Sequence, residues 1–213
     1  LQAARKKKIK NFSVYSAHKV IPETLLALAK DKALKIEGFL LPGHVSVIIG
    51  LNGYKDVFRG LKLSGVVAGF EPVDILLAIL KLIKAINEKK QILENEYTRI
   101  VTQSGNRRAQ ELLEQTFRKR DSVWRGLGII PSSGLSLRKE FKEFDTQVKF
   151  GLKKEKVLKG LSHGCRCAEV LKGKMTPLSC PWFAGKCHPA APQGPCMVSR
   201  EGTCRTYYEH RKN

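Results

Sequence analysis

The concentrated chemistry of this sequence lies in six cysteines, all between Gly164 and Cys204. They stand at Cys165, Cys167, Cys180, Cys187, Cys196 and Cys204, separated by one, twelve, six, eight and seven residues. The first 164 residues contain none, so the thiols form one local site and not a disulfide framework spread through a fold. No C-x-x-C pair occurs, which removes the tight-turn knuckles of common zinc ribbons and fingers. The wide gaps are broken by Pro177, Pro181, Pro189, Pro192 and Pro195, as suits a loop-rich wrap around something larger than one ion. Four thiolates around an iron–sulfur cluster would satisfy that description. Spacing alone leaves a structural zinc, disulfides or free thiols open beside the cluster. Cys165 and Cys167 would point the same way in an extended stretch but not in a turn. Trp182 and Phe183 would exclude water from such a site, or simply pack a small domain.

A second set of groups suited to proton transfer or ligand contact is scattered: His18, His44 and Glu71. What could gather them is the pattern around them. Residues 11–18 read as a β-type run followed by a helix over ETLLALAKDKAL, and 36–41 as a run leading through Pro42-Gly43-His44 into HVSVIIG. Residues 64–70 form a third run, before the helix VDILLAILKLIKAINEKK, with Pro72 at its first position, where no backbone donor is needed. Residues 97–103 form a fourth, with Asn106 as cap of a helix RRAQELLEQTFRKR. HVSVIIG is ambiguous, since valine and isoleucine also favour strands. Strand, short loop and helix in repetition predict an α/β fold, an open parallel sheet with flanking helices, followed by a small loop-rich cysteine domain. In such a sheet every strand-to-helix loop lies at the carboxyl edge, which would bring His18, His44 and Glu71 together. A loop histidine can equally be a solvated hydrogen-bonding residue, and Glu71 a helix-start carboxylate.

The expected organisation is a linker over 1–10, an α/β domain over 11–120, a connecting segment over 121–160 and the cysteine domain over 161–213. Regular helix is not expected between Asp121 and Leu137, where glycine and serine abound, and the charged stretch 153–160 is expected to mark the last boundary. A chain of 213 residues with 42% hydrophobic and 27% charged residues can bury one good core and a smaller appendage. No apolar run approaches the ~20 residues a membrane helix needs. The basic start RKKKIK has no apolar stretch behind it, so it does not read as a signal peptide. A cytoplasmic setting is therefore expected, where clustered thiols more often bind metal than pair. The net charge of +20 admits nucleic acid, an acidic protein partner or a lysine-rich surface. Lysines are scattered and no nucleic-acid motif accompanies them, so nucleic acid is not the expected partner. A zinc-stabilised basic module for nucleic acid stands as the alternative. No G-x-G-x-x-G or Walker motif points to a nucleotide.

Six strings, FSVYSAH, LPGHVSVIIG, GFEPVD, ENEYTR, WRGLGIIPSSGL and GPCMVSREGTC, occur in an order that resembles the HypD family of nickel–iron hydrogenase maturation factors. The likeness runs from Phe12 to Tyr208. It implies a [4Fe-4S] cluster on Cys165, Cys180, Cys187 and Cys204, with Cys167 and Cys196 at positions that other members fill differently. It implies functional roles for His44 and Glu201 and, less directly, for His18 and Glu71. It also implies a scaffold and electron source that, with HypC and HypE, assembles an iron carrying cyanide and carbon monoxide ligands. The family's N-terminal half, with an iron-binding thiol and a GPGCPVC-type segment, has no counterpart in these residues. The resemblance thus implies the C-terminal portion of a longer protein.

Overall fold

The computed structural model describes residues 1–59, 63–124, 126–152 and 164–210. The chain divides into two units, each discontinuous in sequence. The first comprises Leu1–Lys30, Glu37–Ser122 and Pro131–Lys154, and the second Asp31–Ile36, Val123–Ile130 and Glu155–Asn213. The stretch 153–160, expected to mark a boundary, lies outside the described residues.

The first unit opens with a short helix α1 (Gln2–Lys6) and a helix α2 (Ile21–Ala29). The strand β1 (Gly38–Pro42) then runs directly into α3 (Gly43–Ile49). A 3-10 turn over Leu51–Tyr54 and the single turn α4 (Lys55–Phe58) lead to β2 (Ser64–Ala68), α5 (Pro72–Asn87) and β3 (Leu93–Asn95). The three strands are parallel in the order β1-β2-β3, with Gly38 opposite Ser64 and Gly65 opposite Leu93. Such a sheet is covered on both faces, so its central strand reads as a continuous apolar run. Every residue of β2 is buried. Alternation along the strand sends Val67 to one side with Leu25, Leu41, Tyr54 and Phe58, and Val66 and Ala68 to the other with Ala78 and Leu82 of α5.

The ambiguous HVSVIIG is a helix. Gly43 makes it possible: a Cβ there would sit 2.7 Å from the Ala68 carbonyl oxygen, so only glycine lets the chain turn from β1 so close to β2. The helix after Pro22 is shorter than the pattern predicted and ends at Ala29. Asp31 stops the chain continuing, because its carboxylate accepts from the Ala33 amide at 2.9 Å. The fourth of the predicted helices, α6 (Arg107–Thr116), is capped as expected by Asn106, whose side chain accepts from Ala109 N.

Two predicted strands are corrected. Residues 11–18 make one isolated bridge, Val14 with Asp145, where Val14 N donates to the Phe144 carbonyl; just beyond them Lys19 bridges Gly134 and Val20 N donates to the Ser133 carbonyl. The run at 97–103 is turn, and the third strand of the sheet is β3 before it. Asn95 causes the shift, since its Oδ1 accepts from Tyr97 N at 3.0 Å and its Nδ2 donates to Val101 O at 2.7 Å, curling the chain out of the sheet. The FRKR end of the last helix is corrected too. It belongs to β4 (Phe117–Trp124), joined by three residues to β5 (Gly128–Leu137) in a two-stranded hairpin. Arg138 ends α6 from outside, with its amide and its guanidinium donating to the Thr116 and Glu114 carbonyls. A 3-10 segment over Lys139–Phe144 and the turn α7 (Thr146–Lys149) close the unit.

Candidate metal centre

Among its described residues the second unit has as strand only the turn end of the β4–β5 hairpin, Val123–Trp124 and Gly128–Ile130. Its other described elements are short helices and a turn: α8 (Cys167–Leu171), a 3-10 turn at Pro177–Ser179, α9 (Pro195–Val198) and α10 (Thr203–His210). Each brings a thiol to one cavity. Cys167 opens α8, Cys196 lies in α9, Cys204 in α10, and Cys180 follows the 3-10 turn. Cys187 closes a tight loop by donating its amide to the Trp182 carbonyl at 2.7 Å. All six cysteines line the same cavity, together with Trp182, Phe183 and Met197, and all six are free thiols. Cys167, Cys187, Cys196 and Cys204 are buried, and Cys165 and Cys180 partly exposed.

Two backbone features fit a thiolate site. The Gln193 amide donates to Cys187 Sγ at 3.4 Å, the kind of N–H to sulfur bond that stabilises a ligating thiolate. At Gly194 a Cβ would fall inside van der Waals contact of Cys165 Sγ, so glycine there keeps the space beside that sulfur open. The thiols also perturb one another. Hydrogen bonding from Cys196 holds Cys167 down to about 7 and lowers Cys204, while Cys196, bonded to both, is pushed up and keeps its proton. Burial is the main cause that pushes Cys165 up to about 11. Among the described residues, no three or more His, Cys, Asp or Glu side chains are grouped as a site for a single metal ion.

In the first unit, His44 and Glu71 follow the carboxyl ends of adjacent strands, β1 and β2, as the parallel sheet required. The His44 ring stacks on Phe70, with centroids 4.1 Å apart and planes 25° from parallel. Glu71 is the exposed first residue before α5 and makes no side-chain cap bond. His18 is not at a strand end of that sheet: its Nδ1 lies 3.0 Å from Ser16 Oγ and its ring meets Phe117 edge-on at 5.2 Å. In the second unit, Glu201 is exposed, just before α10, and its amide donates to Ser199 Oγ at 3.3 Å.

A pair that sequence reasoning did not single out also stands at the carboxyl edge. Asp74 is 7% exposed and receives both arms of the Arg99 guanidinium, at 2.7 and 2.6 Å. That hydrogen-bonded contact holds the Asp74 carboxyl below its ordinary range, and Arg99 in turn lies over the Tyr97 ring at 4.7 Å. The signal was present, since Asp74 closes GFEPVD and Arg99 closes ENEYTR, two of the strings that carried the resemblance. No spacing rule joins residues 25 positions apart.

A parallel α/β unit and a separate unit of six thiols around one cavity define an α/β protein with a cysteine module. The family described as "HypD: Hydrogenase formation hypA family" matches residues 1–211, and the chain belongs to that family. It is 38% identical over 216 residues to the hydrogenase maturation factor HypD of Azotobacter vinelandii, covering 99% of this chain and 56% of that protein. It is 37% identical over 213 residues to the protein of the same name from Escherichia coli, covering 100% of this chain and 57% of that one. To hydrogenase maturation factor HypD1 of Bradyrhizobium diazoefficiens it is 36% identical over 219 residues, again 100% and 57%. The chain therefore spans little more than half the length of the curated relatives it matches.

Proposed function

We propose that this chain serves hydrogenase maturation as the cluster-bearing part of an assembly scaffold. The observation that carries the reading is the convergence of all six thiols on one cavity in a member of the HypD family. Cys165, Cys180, Cys187 and Cys204 would hold a [4Fe-4S] cluster, and the group would supply electrons to thiol chemistry elsewhere in the full-length protein. The chain's own residues do the rest. Trp182, Phe183 and Met197 keep water from the sulfurs, the Gln193 amide stabilises the Cys187 thiolate, and Gly194 keeps room beside Cys165. Cys167 and Cys196 are left as a hydrogen-bonded thiol pair beside the site.

His44, held flat against Phe70 at the carboxyl edge, offers an imidazole for proton transfer where an incoming ligand reaches the sheet. Glu201 is tied through the chain to the last thiolate. In the full-length protein these groups would act on an iron cargo that receives cyanide and carbon monoxide, in a complex with HypC and HypE and in the reducing cytoplasm.

Anaerobic purification, iron analysis and a visible spectrum test the cluster. A broad shoulder near ~400 nm with iron bound supports it, whereas bound zinc with a silent spectrum overturns it, because the zinc d shell is full. Alanine at Cys165, Cys180, Cys187 or Cys204 should abolish the shoulder, and alanine at Cys167 or Cys196 should preserve it. In full-length protein, His44→Ala and Glu201→Ala should keep the cluster and lose maturation; loss of the cluster itself would make the residue structural.

A further inference from the structure

Apart from Asp74, Lys81, Lys84 and the terminal Asn87, helix α5 is apolar, yet only one side of that apolar surface is covered. Ala78, Leu82 and Ala85 are buried on the inner side, toward β2. On the outer side Val73, Leu76, Leu80 and Ile83 are 64%, 65%, 45% and 49% exposed. Their spacing of three, four and three residues is that of a heptad seam, which closes against a second helix. The seam spans roughly 15 Å at 1.5 Å per residue. It continues past the start of the helix onto Phe70, 54% exposed and stacked on His44. A contiguous exposed apolar face rimmed by polar side chains is the mark of an interaction surface.

We infer that the outer face of α5 is the docking surface for the segment of family chain that lies beyond this one. The matched relatives are longer by 43–44% of their length, since this chain covers 56–57% of them. A second copy is the poorer occupant. Each chain carries a net charge of +20, and self-association would bring two such charges together. The occupant is therefore an apolar helix or sheet face with a neutral or acidic margin, and its edge lies beside the Phe70–His44 stack. This inference stands whether or not the thiol cavity holds a cluster.

Hydroxyl-radical footprinting tests it. The 213-residue chain is compared with a full-length chimera in which it replaces the matched stretch of the Azotobacter vinelandii relative. Leu178, 64% exposed, and Leu41, 1% exposed, are the internal references. In the chimera, Leu76 and Leu80 should be oxidised at about one tenth the rate of Leu178 or less, close to Leu41. In the 213-residue chain they should react as fast as Leu178. Leu76 and Leu80 reacting like Leu178 in the chimera overturns the proposal. So does their protection already in the shorter chain, which would assign the face to a second copy or to the chain's own second unit.

Discussion

The substitution Gly194→Ala isolates the role of space beside one sulfur. Gly194 has φ −145° and ψ 162°, an extended conformation that alanine adopts without strain. The whole effect of the methyl is therefore its collision with Cys165 Sγ. Restoring ordinary contact requires the sulfur or the methyl to move by about 1 Å. In metal-free protein the loop can share that displacement, at an overpacking cost of ~1–3 kcal/mol. In protein carrying the proposed cluster it could not, because ligand distances tolerate only about 0.2 Å. The expected result is weaker iron retention by roughly 10–100-fold, the range for supporting residues at metal sites, or about 1.4–2.7 kcal/mol. The assay is anaerobic competition with a graded iron chelator, followed by the visible absorption and by iron per chain. Gly185→Ala is the control, since a Cβ there meets nothing within 4 Å. Equal retention in Gly194→Ala and wild type, or equal loss in Gly185→Ala, refutes the reasoning.

Leu41, 1% exposed between the sheet and α2, should cost ~2–5 kcal/mol when cut to alanine, seen as a lower urea midpoint at unchanged slope. Tyr54→Phe removes a buried hydroxyl 3.0 Å from Ser46 Oγ, which keeps its bond to the Pro42 carbonyl, so a loss of ~0.5–1.5 kcal/mol and a Tm lower by a few degrees are expected. Because Arg99 depresses the Asp74 carboxyl, that contribution to stability is complete above the ordinary carboxyl range and is lost as pH falls through the folded value. Urea unfolding should therefore show Asp74→Asn less stable than wild type at pH 7, with the gap closing toward pH 3; a gap that widens on acidification would reverse the sign.

The legible parts of this fold were those where one residue type has one local use. Pro72 at the start of α5 and Asn106 before α6 did what their chemistry dictates, and the buried run of β2 was plain. The misread parts were decided by distant partners. FSVYSAH has the composition of a strand, but its amides and carbonyls bond to residues 135–146, among them Leu135 of β5, and not to the parallel sheet. The hairpin β4–β5 was hidden because α6 ends under a cap supplied by Arg138, some twenty positions away. At the thiol site the residue types and their clustering were legible, while the convergence of six positions on one cavity could be seen only in three dimensions. His18 shows the reverse case: a suitable residue in a suitable string, set against Phe117 and away from the strand ends that carry His44 and Glu71.

The cysteine unit is not a contiguous tail. It includes Asp31–Ile36 and Val123–Ile130 as well as the residues after Glu155. The borrowed segments are fixed by specific bonds: Lys172 pairs with Asp31 at 2.6 Å, and the Lys35 amide donates to the Lys172 carbonyl at 2.9 Å. Gly126 approaches Cys167 so closely that a Cβ would lie 3.4 Å from its sulfur. A gene fragment encoding only the last sixty residues would contain every thiol and still lack part of the wall that surrounds them. During synthesis, the earliest of these pieces leaves the ribosome more than a hundred residues before the first cysteine. Its contacts close long loops, whose entropy cost grows only slowly with length. The thiols consequently meet their complete surroundings late, after the α/β unit has been made, so a metal delivered earlier would find donors without a site.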